Sequence, residues 1–300
     1  MTRATAIQWL RRSLWFLVLP GILLHVTVRD RIDAFAVFFY MLPLPVLIGL
    51  TMAIVIIGRG RRRRASLVAI GLSVAWLYRS FTWHPTELAT QDDVRVLFWN
   101  LGHPIKPFRP LIRMIKELNP DIVACVEPGP NAATDVEAYK AALPGYDCQA
   151  MPRGILWLSR RPSQYRARGR LDQIGAYAVF EAQINGRTQR VVTADVYAAP
   201  LLPRTGQLRE ILDYTQSDPK VIAMGDFNTP AESAHFDAYR QQQLQDALTT
   251  GGKGFRETWF WGLPLLSLDH IWLGKDWHVM EARKIWTFDT DHAAVFVRVR

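Results

Sequence analysis

The sequence predicts an α/β protein, a four-layer αββα sandwich preceded by about three N-terminal transmembrane helices. From Val94 onward, short apolar strands alternate with amphipathic helices, and Asn185-Gly186 marks a hairpin turn between two strands. Strands in hairpins mixed with a few helices favour packed sheets with helices outside. Long apolar segments in the first quarter predict the membrane helices. The predicted domains are a membrane anchor at 1–83, a linker at 84–93 and a folded domain at 94–300.

Each predicted element of the folded domain has its own local pattern. The strands are runs of apolar residues bounded by turn residues, and the helices space their apolar residues three or four apart. The predicted strands cover 94–100, 121–128, 154–160, 176–184, 190–198, 220–227, 267–273 and 293–299. The predicted helices cover 107–118, 131–143 and 205–216.

The positive charge of the chain lies entirely in its N-terminal quarter. Residues 1–83 carry eleven arginines and two acidic residues, which accounts for the whole net charge of +9. Residues 84–300 carry equal numbers of basic and acidic side chains. The basic composition therefore does not indicate a nucleic-acid-binding body.

Three apolar segments in this quarter are the predicted spans. They cover 14–28, 34–58 and 65–78, and the second exceeds the roughly 20 residues that cross a bilayer. The third reaches Trp83 only if the Arg79 side chain extends to the membrane interface. Because no small-residue cleavage site follows the first segment, a retained helix is favoured over a signal peptide.

Arginine placement predicts the orientation of the chain at an inner cell membrane. Arg3, Arg11 and Arg12 precede the first span, and "GRGRRRR" places Arg59 and Arg61–Arg64 between the second and third. Cytoplasmic segments carry such an excess of arginine. Three spans then give a multi-pass protein with a cytoplasmic N-terminus and a periplasmic or extracellular domain. If the third segment does not cross, the domain is cytoplasmic. The bilayer is the expected partner of residues 1–83, and no stable protein partner is indicated.

Polar side chains recur where the predicted strands leave the core. Each could be an ordinary cap or turn residue. Their repeated position at strand ends instead favours a shared site, as is usual on α/β scaffolds. The residues are Asn100, Glu127, Asp195, Asp226, Asn228, Asp269, Asp291 and His292.

The motifs around these residues resemble one known family. In order they are "FWNLG", "VACVEP", "GILWLSR", "VVTADV", "GDFNTP", "SLDHIWL" and "TDHAAV". Together they resemble the endonuclease/exonuclease/phosphatase superfamily of metal-dependent phosphoesterases, over about residues 94–300. The chain also resembles the bacterial subgroup in which this domain follows several membrane helices.

The resemblance implies a metal site. Glu127 is the implied principal ligand, Asn100 helps to hold metal or phosphate, and Asp291 lies near the same ion. The implied cofactor is Mg²⁺ or Mn²⁺, since hard cations prefer oxygen ligands.

The resemblance also implies catalytic roles. His292 is the base or the phosphate-stabilising imidazole, oriented by Asp269. Asp226 positions or deprotonates the water, and Asn228 donates a hydrogen bond to the phosphoryl oxygen. Asn228 and His292 are thus the implied phosphate-binding residues.

The sequence departs from the family pattern at three places. Val126 stands where the family often has Gln before the metal-binding Glu. Asp195 stands where relatives carry His or Tyr, and it can replace an imidazole donor only if it is protonated; alternatively it could hold a second cation. Leu101 and Gly102 follow Asn100 without the Asp of abasic-site endonucleases, which disfavours DNA repair.

Two classes of function follow. The leading expectation is a membrane-anchored phosphoesterase that acts outside the cytoplasm on a phosphodiester or phosphomonoester, in a lipid head group or a nucleic acid. The alternative is a catalytically silent domain of the same fold that binds a phosphorylated ligand or partner.

Overall fold

A computed structural model describes residues 2–58, 62–199, 201–216 and 218–300. The chain forms two compact units. The first comprises Met1–Phe81 with the short segments Ala199–Pro203 and Glu232–His235. The second comprises Thr82–Ala198, Arg204–Ala231 and Phe236–Arg300. The domain limits predicted at residues 83 and 93 remain predictions.

Helices build the first unit. In the described residues they are α1 (Arg3–Val26), α2 (Asp33–Met41), α3 (Leu44–Ile57) and α4 (Arg62–Ser80). The Thr2 hydroxyl caps the start of α1 by accepting a hydrogen bond from the Thr5 N–H. Apolar side chains such as Val18 of α1 and Leu47 of α3 are buried among the helices.

The predicted membrane spans are only partly matched. Within the described ranges, α1 supplies one stretch long and apolar enough to cross a bilayer, Thr5–Val26. Helices α2 and α3 pass the same test together, but the chain bends by 62° between them. Pro43, which precedes α3 as its N-cap, has no N–H with which to continue α2. At most two candidate spans are therefore present there, and the prediction of three is wrong.

The third predicted span is a helix without the composition of a span. Arg62–Arg64 form the first turn of α4, and Arg79 lies in its last turn. The apolar stretch between these arginines, 65–78, is shorter than the roughly 20 residues that a bilayer requires. Arg59 and Arg61 of the arginine run lie outside the described residues. The expected multi-pass topology is therefore not supported.

Asp30 is a buried carboxylate that joins distant parts of the first unit. It accepts hydrogen bonds from the Tyr40 hydroxyl and the Ala234 N–H, each at 2.8 Å, and from the Ser233 hydroxyl. Three donors offset the cost of burying this polar group. Ser233 is 203 residues away in sequence, so no local pattern around Asp30 predicts these partners.

Strands dominate the second unit. The chain-order list is β1 (Phe81–Trp83), β2 (Val94–Asn100), β3 (Ile122–Val126), β4 (Asp147–Met151), β5 (Ile155–Ser159), β6 (Ser163–Gly169), β7 (Ala176–Ile184), β8 (Arg187–Asp195), β9 (Ile222–Asp226), β10 (Gln245–Asp246), β11 (Lys253–Phe255), β12 (Asp269–Leu273), β13 (Val279–Ile285) and β14 (Ala294–Val299). The helices are α5 (Arg109–Leu118), α6 (Ala132–Ala142), α7 (Thr205–Thr215), α8 (Phe236–Gln241) and α9 (Ala247–Gly251), with a 3₁₀ turn at Leu171–Gln173.

Two mixed six-stranded sheets form the sandwich. Their strand orders are β13-β14-β2-β3-β5-β4 and β10-β12-β9-β8-β7-β6, and β1 pairs separately with β11. One apolar core lies between the sheets and includes Phe98 and Phe180. A second core packs α5 and α6 on the first sheet, and a third packs α7 and α8 on the other. The predicted α/β sandwich is confirmed.

The sequence patterns did not predict the four edge strands of the two six-stranded sheets. These are β4, β6, β10 and β13. Edge strands can carry polar and charged side chains because only one neighbour covers them. The sequence of β6, "SQYRARG", shows this, since most of its side chains are at least partly exposed.

Strand direction brings the polar ends of several predicted strands to the same end of the sandwich, which is called the site edge. Strands β2 and β3 run parallel, as do β8 and β9, so their carboxyl ends lie side by side. Asp226 at the end of β9 pairs with Asp195 on one side and with Asp269 on the other. Asn100 pairs with Val126, one residue before Glu127.

Candidate active site

Asp226 ends β9 and Asn228 follows it by two residues, so both lie at the site edge of the sandwich. Asp226 is buried, and its Oδ1 accepts a hydrogen bond from the Asn228 N–H at 2.9 Å. Asn228 adopts φ 46°, a left-handed conformation that Asn tolerates better than most residues. Its Nδ2 donates to the Val196 carbonyl at 2.8 Å. The turn chemistry of "GDFN" therefore fixes both side chains, and the second hydrogen of the Asn228 amide is left for another acceptor.

A histidine and two carboxylates form the centre of the site. His292 Nδ1 hydrogen-bonds to Asp269 Oδ2 at 2.9 Å, and His292 Nε2 lies 3.8 Å from Asp226 Oδ2. The Thr258 hydroxyl accepts hydrogen bonds from the Leu268 and Asp269 N–H groups, which fixes the start of β12. The imidazole is thus held between two buried acids.

Asn100 links the two sheets across the site. It ends β2 of one sheet, and its Nδ2 donates to Oδ2 of Asp226 in the other sheet at 2.9 Å. Its Oδ1 accepts from the Gly102 N–H at 3.0 Å. Gly102 has φ 64°, and a Cβ there would lie 3.2 Å from the Thr290 hydroxyl, so glycine suits this turn.

Glu127 and Asp291 lie on the loops beside this centre, and both are partly exposed. Glu127 has φ 52°, and its Oε2 lies 3.3 Å from His103 Nε2. Asp291 directly precedes His292, and its Oδ2 accepts a hydrogen bond from Trp259 Nε1 at 2.9 Å. A left-handed Glu is uncommon and costs backbone energy, and such strain concentrates at functional sites.

Sequence reasoning missed His103, Thr258 and Trp259. His103 lies in a turn with no motif of its own, and Trp259 is in an aromatic run that predicts packing rather than a bond to a carboxylate. His270, which follows Asp269 in the same motif, is structural: its ring hydrogen-bonds to Asp246 and to the Thr229 carbonyl.

Burial and neighbouring charge shift the pKa values of the central pair. Burial raises the pKa of Asp226 to about 7, while the charge of His292 and the hydrogen bond from Asn100 oppose the rise. Burial alone lowers the pKa of His292, but Asp269 and Asp226 outweigh it and raise that pKa to about 10. The two shifts favour a positively charged imidazole at neutral pH and an Asp226 carboxyl group that gives up its proton less readily than usual.

Asp195 lies beside Asp226 at the end of β8. Burial raises the pKa of Asp195 well above its ordinary value, and the charges of Asp226 and Glu127 raise it further. A protonated carboxyl group can donate a hydrogen bond. The structure therefore provides the condition under which Asp195 could replace the usual imidazole or phenol donor.

The central cluster has the composition of a cation site. Asp226, Asp269 and His292 each offer a ligand atom, and these atoms lie within 4.8 Å of one another. Asp269 Oδ1 is buried and has no hydrogen-bond partner in the described part of the chain, so it keeps its capacity to bind a cation. The set differs from the expected ligands, Glu127, Asn100 and Asp291, although Asn100 is bonded to Asp226.

The sequence pattern of the Endonuclease/Exonuclease/phosphatase family matches residues 97–292. The chain belongs to this family. The matched region includes every candidate site residue, from Asn100 onward, and it ends at His292. Its family and fold make it a phosphoesterase of the endonuclease/exonuclease/phosphatase type, whose members typically use Mg²⁺. A comparison with curated proteins finds no match.

Solved structures show the same fold at low identity. An endonuclease/exonuclease/phosphatase family protein from Bacteroides thetaiotaomicron is 14% identical with a TM-score of 0.56, and the match covers 69% of this chain and 97% of that one. A humanized D. rerio TDP2 is 16% identical with a TM-score of 0.57, covering 70% and 100%. A mannosyl-6-phosphatase from B. thetaiotaomicron is 15% identical with a TM-score of 0.51, covering 69% and 99%.

These endonuclease/exonuclease/phosphatase relatives share the sandwich. At such identities they establish the fold and not the substrate. The comparisons support the family but not the membrane-anchored bacterial subgroup that the sequence also resembles.

Proposed function

We propose that this protein is a divalent-metal-dependent phosphoesterase that hydrolyses a phosphodiester or phosphomonoester, in a lipid head group or a nucleic acid, outside the cytoplasm. The observation that carries the proposal is the buried hydrogen-bonded cluster of Asn100, Asp226, Asp269 and His292 where the two sheets meet. Similar folds occur in a mannosyl-6-phosphatase and in a D. rerio TDP2 complexed with single-strand DNA product, which supports a phosphorylated substrate.

The proposed cofactor is Mg²⁺ or Mn²⁺. Glu127, Asn100 and Asp291 are the proposed ligands, and the carboxylates of Asp226 and Asp269 offer further oxygen donors. Oxygen donors of this kind suit hard cations. A bound cation would polarise the phosphoryl group and neutralise its developing charge.

The side chains divide the remaining work. Asp226, with a pKa near neutrality, is suited to take the proton of the attacking water as the water oxygen bonds to phosphorus. Cationic His292, oriented by Asp269, stabilises the negative charge on the phosphoryl oxygens. The second amide hydrogen of Asn228 is the proposed donor to the same oxygens. Asp195 in its protonated form would donate toward the leaving group.

Helix α1 is the proposed membrane anchor. Its stretch Thr5–Val26 is long and apolar enough to span a bilayer. Arg3, Arg11 and Arg12 lie in its N-terminal half, which favours a cytoplasmic N-terminus and a domain on the opposite side.

The test uses the full chain purified in detergent, with bis-p-nitrophenyl phosphate as substrate and with Mg²⁺, Mn²⁺ or chelator. Wild type is compared with Glu127→Gln and His292→Ala, and the exposed His278→Ala is the matched control. We expect metal-dependent turnover that falls by about 10²-fold or more in both site variants and stays unchanged in the control.

The second candidate is a catalytically silent domain that binds a phosphorylated ligand. Asp195, which stands where relatives carry His or Tyr, favours this second candidate. A folded wild-type chain that binds Mn²⁺ but shows no turnover above the Glu127→Gln and His292→Ala variants would establish it and overturn the catalytic proposal.

A further inference from the structure

Large apolar side chains are exposed around the candidate active site of the second unit, at its site edge. Its described residues include nine such exposed side chains, and six lie on loops at this edge, between 42% and 75% exposed. These six, called the apolar rim, are Ile105, Ile174, Tyr197, Trp261, Leu263 and Phe288. The other three are Trp83, Leu88 and Tyr165. Exposed apolar side chains that surround a site are a feature of ligand-binding and membrane-binding surfaces.

One side of the rim is tied to Glu127 and Asp195. Ile105 lies two residues after His103, whose N–H donates to the Glu127 carbonyl at 2.8 Å. Tyr197 lies two residues after Asp195. Ile174 precedes Gly175, which lies so close to the Asp195 carbonyl that a Cβ there would be 2.8 Å from it.

The other side of the rim is tied to Asp291. The Trp261 N–H donates to the Asp291 carbonyl at 3.2 Å. Leu263 exchanges backbone hydrogen bonds with Phe260 in the same loop. Phe288 precedes Asp291 by three residues, and its ring packs beside Gly262, 3.6 Å from where a Cβ would lie. The exposed side chains therefore lie on the loops that carry the acidic residues of the site or on loops that contact them.

We propose that the apolar rim inserts into the surface of a phospholipid bilayer, so that the site takes its phosphoester from a lipid head group. This inference deepens the proposed function and rests on it for the reaction. It selects lipid over nucleic acid as the substrate class.

The bilayer is the favoured occupant for three reasons. Helix α1 of the same chain is long and apolar enough to span one. The rim side chains lie on several loops around the site and include Trp and Tyr, which prefer the interface between hydrocarbon and water. Lys106, next to Ile105, and Arg153, next to Gly154 whose carbonyl accepts from the Glu127 N–H, are exposed basic residues suited to lipid phosphates.

The first experiment reports insertion without requiring turnover. Leu263→Cys and, separately, Phe288→Cys are labelled with an environment-sensitive fluorophore in the full chain, reconstituted in phosphatidylcholine nanodiscs. Native Cys125 and Cys148 are buried, so labelling is directed to the new thiol. Leu88→Cys, an exposed apolar position outside the rim, is the control. We expect lipid-borne spin labels to quench the two rim probes and not the control. Rim probes that are quenched no more than the control would overturn the inference.

The second experiment measures substrate preference. Turnover of phospholipid and of bis-p-nitrophenyl phosphate is compared for wild type, for a variant combining Leu263→Ser and Phe288→Ser, and for the control Tyr165→Ser. We expect the ratio of lipid to soluble turnover to fall by about tenfold or more in the rim variant, since two large apolar groups lose their burial in lipid. An unchanged ratio would overturn the inference while leaving the phosphoesterase intact. Quenched rim probes in a chain that hydrolyses neither substrate would instead retain membrane docking and overturn the proposed function.

Discussion

Nδ1 of His292 lies 2.9 Å from Oδ2 of Asp269, while Nε2 of the same ring faces Oδ2 of Asp226 at 3.8 Å. One acid therefore orients the imidazole, and the other lies where its second nitrogen points. The hydrogen bond from Asn100 to Asp226 fixes this second acid from the opposite sheet. The arrangement therefore depends on the packing of the two sheets against each other and not on either sheet alone.

Replacing Asp269 with Asn should disable the site without unfolding the protein. The amide keeps the shape but removes the charge that orients His292 and raises its pKa. We expect kcat/KM for bis-p-nitrophenyl phosphate to fall by about 10²- to 10⁴-fold. The His292 pKa, followed by NMR, should fall as well. Asp213→Asn, an exposed carboxylate, is the control. An Asp269→Asn variant with wild-type kcat/KM would show that the pair is structural.

Asp195 can be tested by replacing it with a permanent hydrogen-bond donor. An Asn side chain donates at every pH, so Asp195→Asn should keep activity within about tenfold of wild type if the residue acts as a neutral donor. Asp195→Ala removes the donor and should lose about 10²- to 10³-fold in kcat. Equal losses in both variants would instead indicate a charged role, such as holding a second cation.

The sequence places the candidate residues at or beside strand ends, where apolar strands leave the core. Asn100, Glu127, Asp195 and Asp226 follow this rule, and parallel pairing brings them to a common edge. The hydrogen bond between Asn100 and Asp226 could not be predicted in the same way. It depends on how two separate sheets pack, which no local pattern encodes.

The remaining differences between sequence and structure also arise from tertiary context. His103 approaches Glu127 only because their two loops are joined by a backbone hydrogen bond. The segment read as a single second span is broken where Pro43 interrupts the helix, although its apolar composition is continuous. The apolar composition predicts a hydrophobic segment, but it does not predict the bend between α2 and α3, which depends on the backbone at Pro43.

Asp93 should stabilise the second unit in a pH-dependent way. It lies directly before β2, at the end away from Asn100, and accepts hydrogen bonds from Arg298 Nη1 and Arg300 Nε. Burial alone would raise its pKa, but the Thr90 N–H and the two guanidinium groups outweigh it and hold the pKa well below the ordinary value near 3.8. Asp93→Asn should cost about 3 kcal/mol in the free energy of unfolding at neutral pH, because the buried Arg298 guanidinium loses its counter-charge, whereas Arg300 is exposed to water.

The sign of this effect follows from the depressed pKa. The contribution of the Asp93 carboxylate is fully present above pH 3.8 and is lost as the pH falls through the folded-state pKa. The difference between wild type and Asp93→Asn in denaturant unfolding should therefore shrink in acid. Asp92→Asn, at the exposed neighbouring position, is the control. A difference that is constant with pH would contradict the assignment, and kcat/KM at neutral pH should be unaffected in the folded fraction.

Asp30 should hold segment 232–235 within the first unit. Its carboxylate accepts from the Ala234 N–H and from two hydroxyl groups, and the segment begins four residues after Asn228. Asp30→Asn weakens these bonds because a neutral amide oxygen is a poorer acceptor than a carboxylate. A loss of about 1 to 3 kcal/mol in local opening free energy corresponds to roughly 5- to 150-fold faster hydrogen exchange at Ala234. Mass spectrometry of peptides covering 232–235 measures this change against Asp33→Asn, an exposed acid on α2. If exchange rises equally in both variants, or only in segments outside 232–235, Asp30 acts on the unit as a whole and not on this segment.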